Sequence, residues 1–213
     1  MDEPISMSSP EPDLITDLPL FPLGSVLFPG GDLALQIFEV RYLDMVSRAW
    51  KTGQPFGVVG LTRGSEVRQR TSQDEGFAAE QFHSVGTLAH IEELERPQPG
   101  LIFIRCKAGR RFSLSQSRQL THGLWVGQAT LLQPDPVLAV PPHLQPVQQA
   151  LRSVADRWPQ AQPQDWDDAG WLSNRCAELL PMPLATKQQM MALDNPLLRL
   201  ELMCDLLEVL QKK

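Results

Sequence analysis

Cysteine is scarce in this chain: Cys106, Cys176 and Cys204 are the only three among 213 residues, odd in number and far apart. That excludes the disulfide framework of a small secreted domain, and each thiol falls in an apolar or helical pattern that suits a buried free cysteine in a reducing compartment. Asn-x-Ser/Thr acceptor sites are missing, in keeping with the same compartment. No apolar run approaches the roughly 18 residues that span a bilayer. The first sixteen residues carry Asp2, Glu3, Glu11 and Asp13 without a basic cluster, which is not the pattern of a secretory leader. A cytoplasmic location with no membrane association is the expectation. Positive charge is also short, 19 Lys and Arg against 25 Asp and Glu, for a net charge of −6 and a pI of about 5.2. This argues against a dedicated nucleic-acid binder, whose footprint is basic. The dipeptide Gly-Lys does not occur, so the phosphate-cradling Gly-x-x-x-x-Gly-Lys-Ser/Thr loop is excluded. His-Glu-x-x-His, Cys-x-x-Cys and Gly-x-Ser-x-Gly are likewise absent. These absences point to a protein that binds rather than catalyses, with no cofactor.

What is present is an ordinary globular composition, 42% hydrophobic and 21% charged, in a length that suits one large domain or two small ones. Residues 1–16, rich in proline, serine and acid, read as a disordered tail. From residue 17 to 135 the pattern is one of short strands. Leu33, Leu35 and Ile37 alternate with Ala34 and Gln36, and residues 56–61, 85–91, 101–106 and 124–132 form further apolar or β-branched runs between Gly and Pro turns. One helix interrupts the series at residues 39–51, with Val40, Leu43, Val46 and Trp50 along one face and Gly53 as its stop. Residues 63–82 are polar and read as a long surface loop. Several short strands with such turns predict a small barrel.

The character changes at Pro134-Asp135-Pro136, and residues 136–213 read as a helical bundle. Val147, Leu151, Val154, Ala155 and Trp158 form one amphipathic stripe, with Pro146 in the first turn and Pro159 as the stop. The stretch 165–168 offers N-caps for a helix burying Leu172, Cys176, Leu179 and Leu180. Thr186 and Gln189 have capping-box spacing for a short helix to Leu193. Asn195-Pro196 opens a last helix with Leu200, Met203, Leu206, Leu207 and Leu210 inward.

Residues 18–46, LPLFPLGSVLFPGGDLALQIFEVRYLDMV, join a proline-punctuated strand, a Pro-Gly-Gly turn, an alternating strand and a helix opening on Phe-Glu-x-Arg-Tyr. This order resembles the start of the N-terminal, substrate-binding domain of Lon proteases. VGTLAHIEEL at 85–94, the strand 101–106 leading to Gly109-Arg110-Arg111-Phe112, and AELLPMPLATKQQMMALDNPLLRLELM at 177–203 extend the resemblance, in order, over residues 18–211. It implies an α+β fold, a PUA-like pseudo-barrel with one helix followed by an α-helical bundle. It also implies binding of unfolded or extended polypeptide, in an adaptor or chaperone-like role. The motor and the Ser-Lys protease of Lon have no counterpart in the sequence, so a stand-alone module is expected, with a separate protease or ATPase as a candidate partner and a monomeric or weakly dimeric state. Gly24-Ser25 departs from the family pattern, in which a charged residue follows the first strand.

The candidate binding residues are Phe28, Pro29, Arg41, Tyr42, Arg110, Arg111 and Trp125. Phe28 and Pro29 head a turn that projects from the sheet and would form an exposed apolar lip. Arg41 and Tyr42 have two readings: a carboxylate partner that anchors the helix on the barrel, or a ligand contact. Arg105, Lys107, Arg110, Arg111 and Arg118 form the one basic cluster, and RNA binding through residues 105–118 is the alternative function; solvated charges on a hairpin are the favoured reading. Trp125, Trp158, Trp166 and Trp171 suit a core or the cleft between barrel and bundle, where an apolar groove for peptide is expected. His83 and His90, with Glu92 and Glu93 nearby, lack the convergence of a metal site.

Overall fold

The computed structural model describes residues 14–63 and 80–211. The strands are β1 (Leu14–Leu23), β2 (Asp32–Ile37), β3 (Phe56–Arg63), β4 (Gln81–Gln98), β5 (Leu101–Gln119) and β6 (Trp125–Leu131), with helix α1 (Val40–Thr52) between β2 and β3. Their order is β2-β5-β4-β3-β1-β6, and β6 also pairs with β5. Strands β1, β3, β4, β5 and β6 therefore close a ring, and β2 is appended to the first half of β5. Only the β1–β3 pairing is parallel.

Alternation along the strands fills the ring. Leu18, Leu20, Val59, Leu88, Phe112 and Ala129 meet in its interior. The glycine of Val85-Gly86-Thr87 has a physical reason. A Cβ there would lie 2.4 Å from the Val58 carbonyl oxygen and 2.6 Å from the Phe112 ring, so only glycine lets the two strands pass this aromatic. A second cluster lies under α1, where Phe21, Ile37, Tyr42, Met45, Val46, Phe56, Ile102 and Ile104 pack together. Ile91 and Leu94 both join its margin despite their odd separation, because the register slips between Ile91 and Glu93.

The helical part comprises α2 (Gln145–Arg152), α3 (Ala169–Leu179), α4 (Leu184–Ala192) and α5 (Pro196–Gln211). Its core includes Leu144, Val147, Leu151, Leu172, Cys176, Met191, Leu200 and Met203. Asp168 caps α3 through the amides of Gly170 and Trp171, and Asn195 Oδ1 accepts from the Leu198 amide at the start of α5. An α+β barrel with helices behind it is thus the observed architecture.

Four details differ from the sequence expectation. Residues 14–16 belong to β1 rather than to a tail; the remainder of that tail, and most of the loop expected at 63–82, lie outside the described residues. Helix α1 buries Arg41, Tyr42, Met45, Val46 and Ala49, while Val40 is 76% and Trp50 43% exposed. The apolar stripe counts arginine as an outward residue, and here a buried carboxylate turns it inward. The stripe from Val147 to Trp158 is not one helix: α2 stops at Arg152, and a short 3-10 turn carries Trp158 to the same core with Val154 left outside. Helix α4 begins at Leu184 behind Pro183 with no side-chain cap, so Thr186 sits inside its first turn.

Candidate functional site

Arg41, Tyr42 and Trp125 converge, and the group that gathers them is Glu80, which the sequence alone did not single out. Arg41 is bidentate to Glu80, at 2.9 and 3.1 Å, and also donates to Glu39 at 3.0 Å and to the Gly123 carbonyl. The Trp125 indole donates to Glu80 Oε2 at 2.7 Å. Tyr42 stacks on Phe21, with ring centroids 4.0 Å apart, and lies under the Arg41 guanidinium. Burial opposes the charge on Arg41, but its bonds and proximity to Glu80 outweigh burial and raise its pKa, so the guanidinium stays charged. This network fastens α1 and β6 to the start of β4 in a buried position.

The basic run 105–118 is dispersed into separate pairs. Arg105 meets Glu93 at 3.5 Å, Lys107 meets Asp32 at 3.0 Å, and Arg118 meets Asp17 at 2.8 Å. Arg110 donates to the Leu132 carbonyl. Arg111 is buried, bonded to the Met191 carbonyl and paired with Asp135 and Asp194. Asp135 is shared with Arg199, which also donates to Ser173 Oγ and the Leu193 carbonyl. Arg105 and Arg118 stay exposed beside exposed carboxylates, while Arg111 is withdrawn from the surface.

Phe28 is not an exposed lip. It is fully buried in the core of the helical part. The turn does project from the sheet, but the helices receive it. Pro29-Gly30 form a tight turn with Gly30 at φ +70° and the Gly31 amide bonded to the Phe28 carbonyl, as a type II turn requires. Arg175 of α3 then donates to the Pro29 and Gly30 carbonyls at 2.7 and 2.9 Å and pairs with Glu178 at 2.8 Å. Burial lowers the Arg175 pKa and pushes the Glu178 carboxyl up to about 7. Thr87 donating to the Leu27 carbonyl and Gln188 to the Val85 carbonyl complete the junction.

Concavities lie at that junction among the described residues. One, of about 340 Å³, is lined by Val26, Leu27, Asp32, Leu33, Trp158 and Glu178. Another, of about 240 Å³, lies between the Pro29 turn, Arg111 and Trp171. The indoles of Trp158, Trp166 and Trp171 pack edge to face against one another, as core rather than as an open cage. His83 and His90 both lie on β4, and among the described residues no group of three or more His, Cys, Asp or Glu side chains is placed to hold a metal. An apolar hollow of about 380 Å³ lies elsewhere, on the outward face of β2, β5 and β4. Rungs Gln36–Phe103–Glu95 and Ala34–Arg105–Glu93 cross it, and Phe103 stands 38% exposed.

Residues 17–209 match the family model described as the ATP-dependent protease La (LON) substrate-binding domain. The chain belongs to this family. It is similar to the crystal structure of a Lon N-terminal domain protein from Xanthomonas campestris, with 32% identity, a TM-score of 0.70, and coverage of 90% of this chain and 98% of that one. The N-terminal domain of Mycobacterium avium complex Lon protease shares the fold at 14% identity and a TM-score of 0.56, over 89% of this chain and 96% of that one. No curated protein matches. The Lon-type match takes in the barrel and the helices alike; the α+β fold of the family is the fold seen here. No helix of the described residues is long and apolar enough to cross a membrane.

Proposed function

We propose that this Lon-type domain is a non-catalytic recognition module that binds unfolded or extended polypeptide on the outward face of β2, β5 and β4. The observation that carries the reading is the apolar hollow over Phe103, on a chain whose family is that of a substrate-binding domain. Phe103 offers a flat aromatic contact, and Gln36, Glu95 and Arg105 around it supply polar groups that tolerate varied neighbours. Burying one or two client side chains contributes about 1.5–3 kcal/mol each. Affinity is then modest and rises through several contacts on one client or through a partner that adds avidity. An adaptor or chaperone-like role in the cytoplasm, next to a separate protease or ATPase, fits an affinity of that size.

The test is fluorescence anisotropy with a labelled protein kept unfolded by reduction and carboxymethylation. Phe103→Ser should weaken binding by about tenfold, the equivalent of one lost aromatic contact. Equal binding by wild type and variant would remove the site from this face. Failure of the wild type to bind would remove the function.

A further inference from the structure

Strand β2 is the one member of the sheet outside the closed ring, and its backbone polarity follows from the turn before it. The Gly30 amide donates to the Ala108 carbonyl and the Ala108 amide donates to the Gly31 carbonyl. Gly30 and Gly31 together therefore oppose Ala108, a bulge whose second residue accepts from the Ala108 amide, and beyond it the register continues without a slip from Asp32↔Lys107 to Ile37↔Ile102. Antiparallel ladders alternate, so Leu33, Leu35 and Ile37 bond to β5, whereas the N–H and C=O groups of Asp32, Ala34 and Gln36 point away from it. Gln160 reaches the Asp32 carboxylate, which places the helical part beside the first of these residues. Beyond it, the edge groups of Ala34 and Gln36 have no strand on that side and no backbone or side-chain partner among the described residues.

Natural sheets shield such edges with bulges, charges or proline. Another open edge does so: residues 90–98 of β4 extend past β3 and carry two register slips, Glu92, Glu93, Glu95, Arg96 and Pro97. Past the bulge at Gly30-Gly31, strand β2 has none of these devices. It is unslipped, holds neither proline nor a basic residue, and its one charge, Asp32, is already paired with Lys107. Its side chains are matched to an extended guest as well. Leu33 and Leu35 are only half-buried against the core under α1, so apolar residues on that side of an added strand would cover them. Ala34 and Gln36 face the Phe103 hollow.

We infer that β2 takes an extended polypeptide segment as an added strand, so that recognition runs through the guest's main chain as well as its side chains. This rests on the polypeptide-binding reading above and specifies how the guest is held. Main-chain pairing is indifferent to sequence, which suits a binder of varied clients, and alternate side chains set the preference.

The probe is a nine-residue peptide of alternating valine and threonine with a lysine at each end, titrated against the whole chain by calorimetry. Two further versions carry N-methyl groups on every valine amide or on every threonine amide. An added strand turns only alternate amides toward β2. One methylated version should therefore lose about tenfold or more in affinity while the other stays within about twofold of the parent. Ala34→Pro removes an outward N–H and no bond to β5, so it should lose the peptide to a similar degree while its melting temperature holds. If both methylated versions bind alike, the main chain is not read and the inference falls, while the function proposed above stands. If the parent peptide does not bind while the unfolded protein does, the inference falls and the function stands; if neither binds, both fall. A stable dimer that the peptide does not dissociate would put a second copy of the chain on this edge and overturn the inference equally.

Discussion

Replacing Asp135 with asparagine removes one negative charge from between two buried guanidinium groups. Arg111 arrives from β5 and Arg199 from α5, and their side chains are 3% and 0% exposed, against 13% for Asp135. At 3.2 Å and an effective dielectric of about 20, the Arg111–Asp135 attraction is worth about 5 kcal/mol before desolvation is subtracted. Burial already lowers the Arg199 pKa, with Asp135 the strongest influence opposing it. After the substitution Arg111 keeps two carbonyls and the exposed Asp194, while Arg199 keeps Ser173 Oγ and one carbonyl. Both would remain buried with less than their charge in compensation. Breaking one partner out of a buried ionic group costs about 3–5 kcal/mol.

Urea unfolding followed by far-ultraviolet dichroism measures this directly, and a melting temperature lower by roughly 6–20 °C should accompany it. Asparagine preserves shape and one acceptor, so the loss reports charge rather than packing. A second protein sharpens the argument. Arg111→Met, Arg199→Met and Asp135→Leu together remove the whole ionic group, and a well-packed apolar replacement is often neutral or stabilising. A loss below about 1 kcal/mol for D135N would refute the view that the triad depends on its shared carboxylate.

Asp168→Ala should cost about 1–2 kcal/mol in the same assay, since Asp168 caps α3 at two amides and also accepts from the Leu138 amide. Glu178 adds a pH dependence of definite sign. Its folded pKa is raised by burial from 4.5 to about 7, so the folded state holds its proton more tightly than the unfolded chain. The favourable contribution is full below about pH 4.5 and is lost as pH rises through 7. Glu178→Gln should flatten that part of the stability–pH curve, and an unchanged slope would count against a buried carboxyl. Cys106 and Cys176 are buried, with thiols pushed up to about 12, and Cys204 is half-buried with its pKa raised as well. At pH 8 a thiol reagent should find none of the three fast in the native protein and all three in denaturant; rapid native labelling of two or more would contradict the packing.

Much of the fold was legible because period and turn chemistry agreed. Pro29-Gly30, Gly53 and Pro99-Gly100 mark turns where the chain does turn, and Asp168 and Asn195 cap the helices they precede. The candidate site was less legible, for two reasons. Turn residues ordinarily project into solvent, but Phe28 projects into the helices, and nothing local to residues 28–31 announces a cover supplied from residues 169–203. The buried ionic groups also break the rule that sets charge outside. Arg41 displaced the expected face of α1. Glu80 ends a polar stretch with no pattern of its own. Arg175 and Arg199 did leave a trace: each occupies an apolar slot, between Leu172 and Leu179 and between Pro196 and Met203, where a helix facing its core would carry leucine. A cation at such a position asks for a carbonyl or carboxylate partner, and both found one.

The same ionic groups bear on where a guest sits. A groove at the junction of barrel and helices is the natural guess for a two-part molecule, and it would have to open to admit a chain. Opening would withdraw Phe28, at about 1.5–3 kcal/mol for its burial alone. It would also break the bonds of Arg175 to the carbonyls of Pro29 and Gly30 and of Arg111 to that of Met191, charged hydrogen bonds worth about 1.5–3 kcal/mol each. One or two client side chains return only about 1.5–3 kcal/mol apiece. The junction therefore holds against a weak guest, and binding favours a surface that is already formed. The face of β2, β5 and β4 meets that condition: its hollow is open, its aromatic is exposed, and its outer edge is unoccupied among the described residues.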